Sequence, residues 1–313
     1  MRVAECADFF MQYMLEDVKG QGQATDPRGN GTLEVLGWQG MLNNPRARLQ
    51  RNPIRDLRNG YAAASVAWNL AERNDPSILY WNPNGKWILE NDEFYGANYG
   101  QRLLPYLHEA MYILTADPSS RRAWVPIWTP QDLIDLEGRG MYSRDGKDVP
   151  CTLGFGLRLT SGMNGPNSKL DFHVVMRSQS IGVAPYDLFF FTVLQELVAN
   201  TMDKDLGRTF WSCNSLHYYD NEATQRLAEL DWYHAKRFKQ NAAIDAQFIQ
   251  LMQRPMDHID LTLGEATSKW PQFMDGIMSN LDVEATDPLE RLMLSGKPRE
   301  GEVVAEGFIG GHV

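Results

Sequence analysis

The stretch Pro185-Tyr186-Asp187-Leu188-Phe189-Phe190-Phe191-Thr192-Val193-Leu194-Gln195-Glu196-Leu197-Val198-Ala199 decides the architecture. Proline suits the first helical position, so a helix is predicted to open at Pro185 and run through Ala199. It is apolar on most faces, which makes it a central element. Its longest apolar run, Leu188 to Leu194, is too short to cross a bilayer. Just upstream, Thr152–Leu159 and Phe172–Arg177 read as strands. The turn formers from Ser161 to Asn167 separate them, and the three segments predict a hairpin. Downstream, Thr209 to Tyr219 reads as another strand.

Working outward, residues 5–18 predict an amphipathic helix, followed by a Gly/Pro/Asn-rich loop from Gly20 to Gly31 and a strand over Thr32–Trp38. Helices are predicted over 61–73 and Leu104–Leu114, and a short strand over Arg122–Trp128. Asn82 to Gly100 is rich in turn formers and aromatics and suits a pocket wall. Residues 222–253 predict helix. Strands and helices mix without a strict βαβ rhythm, so the fold class is α+β, a mixed sheet packed against helices. One domain over 1–313 is expected, with a core over about 20–220 and a helical C-terminal extension over about 222–313.

Composition narrows the function classes. The hydrophobic fraction is 43%, enough for a core without disulfides. The three cysteines, Cys6, Cys151 and Cys213, are scattered with no CxxC spacing, which argues against a disulfide framework or a metal site. Met1 to Ala7 carries charges and no apolar run follows, so no secretory leader is expected and a reducing cytoplasm fits. The net charge of −10 argues against a general nucleic-acid binder, which needs basic surface. It leaves room for an anionic small substrate held by a few arginines.

Four pieces carry the chemistry: Asp117-Pro118-Ser119-Ser120-Arg121-Arg122; Val149-Pro150-Cys151; Met176-Arg177-Ser178 with Pro185-Tyr186-Asp187; and Ser215-Leu216-His217-Tyr218-Tyr219. Cys151 follows a proline at a strand start, where a side chain can face a cleft. A lone cysteine is more often buried structure, the reading kept for Cys6 and Cys213. A thiolate nucleophile would be favoured by a nearby guanidinium. Arg121 and Arg122 on a strand would point to opposite faces, whereas His217 and Tyr219 would share one.

In this order and spacing the four pieces resemble the thymidylate synthase superfamily, closest to its cytidylate 5-hydroxymethylase branch, over roughly residues 20–220. The resemblance implies a homodimer joined through the back of the sheet, a nucleoside monophosphate substrate and 5,10-methylenetetrahydrofolate as cofactor. No nucleic acid, membrane or metal is implied. It implies Cys151 as the nucleophile at C6 and Tyr99 as helper in proton removal at C5. Arg177, Ser178 and Arg28 would hold the phosphate, joined by Arg121 and Arg122 from the neighbouring subunit. His217 and Tyr219 would hold the sugar hydroxyl. Trp81 or Trp87 would stack on the folate, and Ser180 falls where the synthases carry the pterin-binding Asp.

Asp187 is the most informative position, because the synthases carry Asn there. An amide can serve both O4 and N3–H of uracil, whereas a carboxylate accepts from the 4-amino group of cytosine. Asp187 therefore implies a cytidine monophosphate, dCMP ahead of CMP, with water ending the reaction as a hydroxymethyl group. A first-turn Asp that simply favours the helix dipole is the competing explanation. Further departures are Thr152 in place of His, Ser65 near the place of a glutamate, and Ser215 in place of Asp. Two alternatives stay open: a dUMP hydroxymethylase or thymidylate synthase, and an inactive nucleotide-binding homologue. The end, Gly307 to Val313, either closes over the site or is a loose tail.

Overall fold

A computed structural model of the chain describes residues 1–48, 59–80, 82–89, 92–132, 148–160 and 168–219. Among the described residues, seven strands form one mixed sheet: β1 (Arg2–Ala4), β2 (Gln23–Thr25), β3 (Thr32–Leu42), β4 (Trp124–Pro126), β5 (Thr152–Thr160), β6 (Lys169–Ser180) and β7 (Asp205–Tyr219). The order across the sheet is β1-β3-β7-β6-β5-β4, with β2 pairing β3 off that path. β1 runs parallel to β3 and β6 parallel to β7; the other pairs are antiparallel. Four α-helices among the described residues accompany it: α1 (Ala7–Gln21), α2 (Asn59–Leu70), α3 (Tyr99–Ala116) and α4 (Ala184–Thr201). The α+β expectation holds.

Local sequence explains most of these elements. Phe10, Met11, Met14, Leu15 and Val18 of α1 repeat at helical spacing and are buried. Leu103, Leu104, Leu107, Ala110, Met111 and Leu114 do the same for α3. α4 is the crossover between the parallel strands β6 and β7, and both ends of its sequence fit that place. Pro185 sits in its first turn, and Leu188 to Ala199 are all buried. Its rings build the core. Phe191 meets Phe155 and Trp211 edge-on at 5.6 and 5.8 Å, and Phe155 stacks on Phe172 at 5.0 Å. Phe10 from α1 closes the cluster against Trp211 and Trp38.

An irregularity crosses the sheet and creates the site. The β5–β6 ladder slips between Thr152 and Gly154. In the same row the ladders step over Arg177 in β6, Asn214 in β7 and Gly37 in β3. Gly37 takes φ +68°, a conformation that glycine accepts without a Cβ clash. The buried alternation changes phase there. In β7 it passes from Thr209, Trp211 and Cys213 to Leu216, and in β6 from Leu170, Phe172, Val174 and Met176 to Gln179. Beyond the break, side chains that regular pleating would send away from α4 turn toward it.

Three expectations need adjusting. The helix expected from Leu104 begins at Tyr99, so Tyr99 belongs to α3 and not to a loop. The strand expected over Arg122–Trp128 covers only Trp124–Pro126, so Arg121 and Arg122 precede it and do not alternate across it. A short strand, β2, lies inside the expected Gly20–Gly31 loop. The hairpin's turn, Ser161–Asn167, and the helical segment expected over 222–313 lie outside the described residues. No described helix is long and apolar enough to cross a membrane.

Candidate active site

Cys151 stands immediately before β5, half-buried at the break in the sheet. Arg177 wraps around it. Its backbone N–H donates to the Cys151 carbonyl at 2.9 Å, its Nε to the Pro150 carbonyl at 2.8 Å and its Nη2 to the Val149 carbonyl at 3.1 Å. The same Nη2 lies 4.0 Å from the Cys151 Sγ. Burial nevertheless prevails. The thiol is pushed up to about 11; Arg177 opposes the shift, while Asp187 and Asp148 add to it. The expected stabilisation of a thiolate by a guanidinium is present in direction but is outweighed.

Asp148 braces the approach to the cysteine by accepting from the N–H groups of Tyr95 and Gly96 at 2.8 and 2.9 Å. Burial raises its own pKa, and these N–H donors oppose the rise.

Tyr99 reaches the site from the first turn of α3. The Thr152 hydroxyl donates to its phenol oxygen at 3.0 Å, and its ring packs on Phe190 and Phe191. Burial, then the charges of Asp187 and Cys151, raise the phenol well above its ordinary value, so it stays protonated. Asn69 of α2 fixes its position by accepting from the N–H groups of Tyr99 and Gly100 at 2.7 and 3.1 Å. The contact is so close that a Cβ on Gly100 would overlap the Asn69 carbonyl. Sequence reasoning missed Asn69. Its signal was an amide inside the apolar run Tyr61–Leu70.

Asp187 lies in the first turn of α4, near enough to Cys151 and Tyr99 for its charge to raise both groups. Burial lifts its carboxyl to about 7 against one opposing donor, the Gln179 amide, at 2.8 Å. Gln179, also missed, is 1% exposed.

His217 is buried in β7, with Glu34 and Ser180 beside it on the adjacent strands. Burial lowers its pKa, and Glu34 opposes this. Ser215 lies 3.4 Å from its Nδ1 and donates to Glu34. The Tyr219 ring meets that of His217 edge-on at 5.2 Å. Ser178 sits beside Ser215 in the ladder, one residue past Arg177. The Ser180 hydroxyl accepts from the Gly182 N–H at 3.2 Å.

Residues 12–262 match the thymidylate synthase family. This chain belongs to that family. Its relatives include the deoxyuridylate hydroxymethyltransferase of Bacillus phage SP01, 26% identical over 69% of the chain and 58% of the phage protein. The chain thus spans little more than half the length of that relative. The thymidylate synthase of Francisella philomiragia is 24% identical over 80% of the chain and 89% of the relative. The family's chemistry is one-carbon transfer to C5 of a pyrimidine nucleotide.

Within this member of the thymidylate synthase family, Cys151, Tyr99, Arg177, Asp187 and His217 gather around the break in the sheet. Arg121 and Arg122 do not. Both are exposed, and Ala123 beside them pairs with Leu157, six residues along β5 from Cys151. At about 3.3 Å per residue that is roughly 20 Å away. Arg28 lies in the short 3-10 turn Pro27–Gly29 and Trp87 in the 3-10 segment Pro83–Ile88, each placed by its backbone alone. Trp81 lies outside the described residues.

Proposed function

We propose that this chain is a cytoplasmic homodimer that converts a cytidine monophosphate, dCMP in preference to CMP, to its 5-hydroxymethyl derivative. The observation that carries the reading is the half-buried carboxyl of Asp187 in the first turn of α4, close enough to Cys151 and Tyr99 to raise both, where an amide would suit uracil.

Arg177 and Ser178 hold the nucleotide phosphate with Arg28, and Arg121 and Arg122 serve the partner subunit's site. Their distance from the chain's own Cys151 supports that sharing. Forked guanidinium groups on the phosphate fix the base over the thiol and lower the entropic barrier to attack. His217 and Tyr219 take the sugar hydroxyl. Cys151 gives its proton to solvent as it reacts, and the sulfur electron pair forms the bond to C6, which breaks again when loss of the C5 proton re-forms the C5–C6 double bond. The displaced C5–C6 π electrons spread through C4 to N3, where Asp187 neutralises the charge. Ionised, it accepts from the 4-amino group; protonated, it donates to N3. A carboxyl titrating near 7 can do both around neutral pH. Tyr99, kept protonated and held by Thr152, does not take the C5 proton itself; it helps remove it by orienting a water that accepts it.

The Ser180 hydroxyl, which accepts from Gly182, keeps its own proton to donate to a pterin, so it is compatible with a folate. Trp81 or Trp87 would add stacking. When bound, 5,10-methylenetetrahydrofolate supplies the carbon transferred to C5.

A second reading, a uridylate enzyme making either hydroxymethyl or methyl product, draws support from the phage relative. The neutral form of Asp187, abundant near pH 7, could donate to O4. Mass spectrometry of dCMP, CMP and dUMP, each incubated with protein and methylenetetrahydrofolate, decides between them. A hydroxymethylated cytidine nucleotide is expected. Product from dUMP alone would replace this reading with the second, and binding without any product would make the chain a nucleotide sensor. Cys151→Ser is expected to bind nucleotide yet lose tritium release from C5 by at least about 10³-fold.

A further inference from the structure

We infer that Gln179 reads the pyrimidine together with Asp187: it fixes which carboxyl oxygen meets the base and supplies a second acceptor for a 4-amino group. The inference rests on the reading that Asp187 faces the base.

The geometry is specific. The break in the sheet turns Gln179 toward α4, where Nε2 donates to Asp187 Oδ2 at 2.8 Å. The same nitrogen lies 3.4 Å from the Ser180 carbonyl. While Asp187 is ionised both of its neighbours are acceptors, which holds the amide in this orientation. A reversed amide would set Oε1 against a carboxylate oxygen and a carbonyl. Two consequences follow. Oδ2 is held as an acceptor, so any proton on Asp187 sits on Oδ1, the oxygen left for substrate. The Gln179 Oε1 is buried and has no hydrogen-bond partner among the described residues. A buried carbonyl without a donor is destabilising, which marks it as an atom awaiting one. A 4-amino group carries two N–H donors and can satisfy both Oδ1 and Oε1. A 4-carbonyl would meet two acceptors whenever Asp187 is ionised. Discrimination against uracil then comes from repulsion as well as attraction.

Gln179→Met keeps the reach and removes both polar atoms. Binding and tritium release from dCMP and dUMP, followed from pH 6 to 9, test it beside Asp187→Asn. Loss of the N–H donor should move the Asp187 limb of the dCMP profile upward, and the dCMP/dUMP preference should fall about tenfold for each unit of that move. Gln179→Glu, which sets a second carboxyl against Asp187, should move the limb further still, and it decides the matter if the Met variant does not fold. An unmoved limb and an unchanged preference in the folded Gln179 variants, with Asp187→Asn still relaxing the preference, would reduce Gln179 to packing. If Asp187→Asn also leaves the preference unchanged, the base-reading role of Asp187 fails, and the inference with it.

Discussion

Helix α4 carries two acidic side chains, Asp187 half-buried in its first turn and Glu196 buried toward its other end, and they live in opposite surroundings. Glu196 accepts from Arg46 Nε at 2.8 Å and from the fully buried Arg48. Burial alone would raise its pKa, but the two guanidinium groups outweigh burial and hold it below the usual carboxylate range. Asp187 has one neutral donor, Gln179, and burial lifts it to about 7. Both residues stand on one helix, and Glu196 is the more buried of the two. Partner charge outweighs that difference and separates a carboxylate that holds a fold together from one that can move a proton. A raised acid in a cleft is a candidate for chemistry; a matched one is not.

The comparison is broken most forcefully at the structural end. Glu196→Gln leaves Arg48 buried with no counter-charge, and Arg48 already feels burial as a downward shift. The loss expected in a urea melt at pH 7 is about 3–5 kcal/mol. A loss below about 1 kcal/mol would mean that water reaches Arg48 and that the pair is worth no more than a surface one.

At the other end the sign reverses. The folded Asp187 holds its proton more tightly than the unfolded chain does. Its ionisation therefore costs stability, progressively, as pH rises from about 4 to about 7. Glu196 works the other way: its contribution is present above the ordinary carboxylate value and is lost as pH falls below it. Asp187→Asn should leave stability near pH 4 unchanged and raise it at pH 8 by on the order of 2–4 kcal/mol. Melts at the two pH values check this. Equal shifts at both would mean that Asp187 titrates normally and that the contrast along α4 is not electrostatic.

Much of the fold was legible because its strongest signals are local. The all-round apolar run of α4, the β5–β6 strands and the helical stripe of α1 each declare themselves within about 15 residues. The beginning of α3 did not: its N-cap, Asn98, is local and accepts from the Gln101 N–H, but it lies among turn formers, and the oxygen that also holds Tyr99 and Gly100, on Asn69, comes from 30 residues upstream. The break across β5, β6, β7 and β3 was equally invisible, since it exists only once the four strands are in register. Gln179 was missed for that reason: on a regularly pleated β6 it would face away from α4. Cys151, Arg177, Asp187 and His217 were found through motifs, and Tyr99 through its place in one. Arg121 and Arg122 were found the same way, but one chain alone does not bring them to Cys151.

The smallest expected effect tests how the catalytic end of this contrast is positioned. Asn69 joins the last turn of α2 to the first of α3: its Nδ2 donates to the Ser65 carbonyl at 2.8 Å, and its Oδ1 accepts from Tyr99 and Gly100. The Tyr99 N–H shares that oxygen with Gly100 and also reaches the Ala97 carbonyl at 3.1 Å, so removal of the amide weakens the start of α3 without stripping it of every acceptor. Asn69→Ala should cost about 1–2 kcal/mol of stability, as loss of a cap does. Tyr99 is held to Thr152 and to the two phenylalanines of α4 by its ring and hydroxyl alone. With its backbone held more loosely, by Ala97 alone, the phenol should drift from the site, so tritium release from C5 should fall by about 10-fold while nucleotide affinity changes little. The split between binding and turnover is the informative part. Loss of both in equal measure would assign Asn69 to the fold of the whole pocket, and loss of stability alone would show that the ring and hydroxyl contacts suffice to place Tyr99.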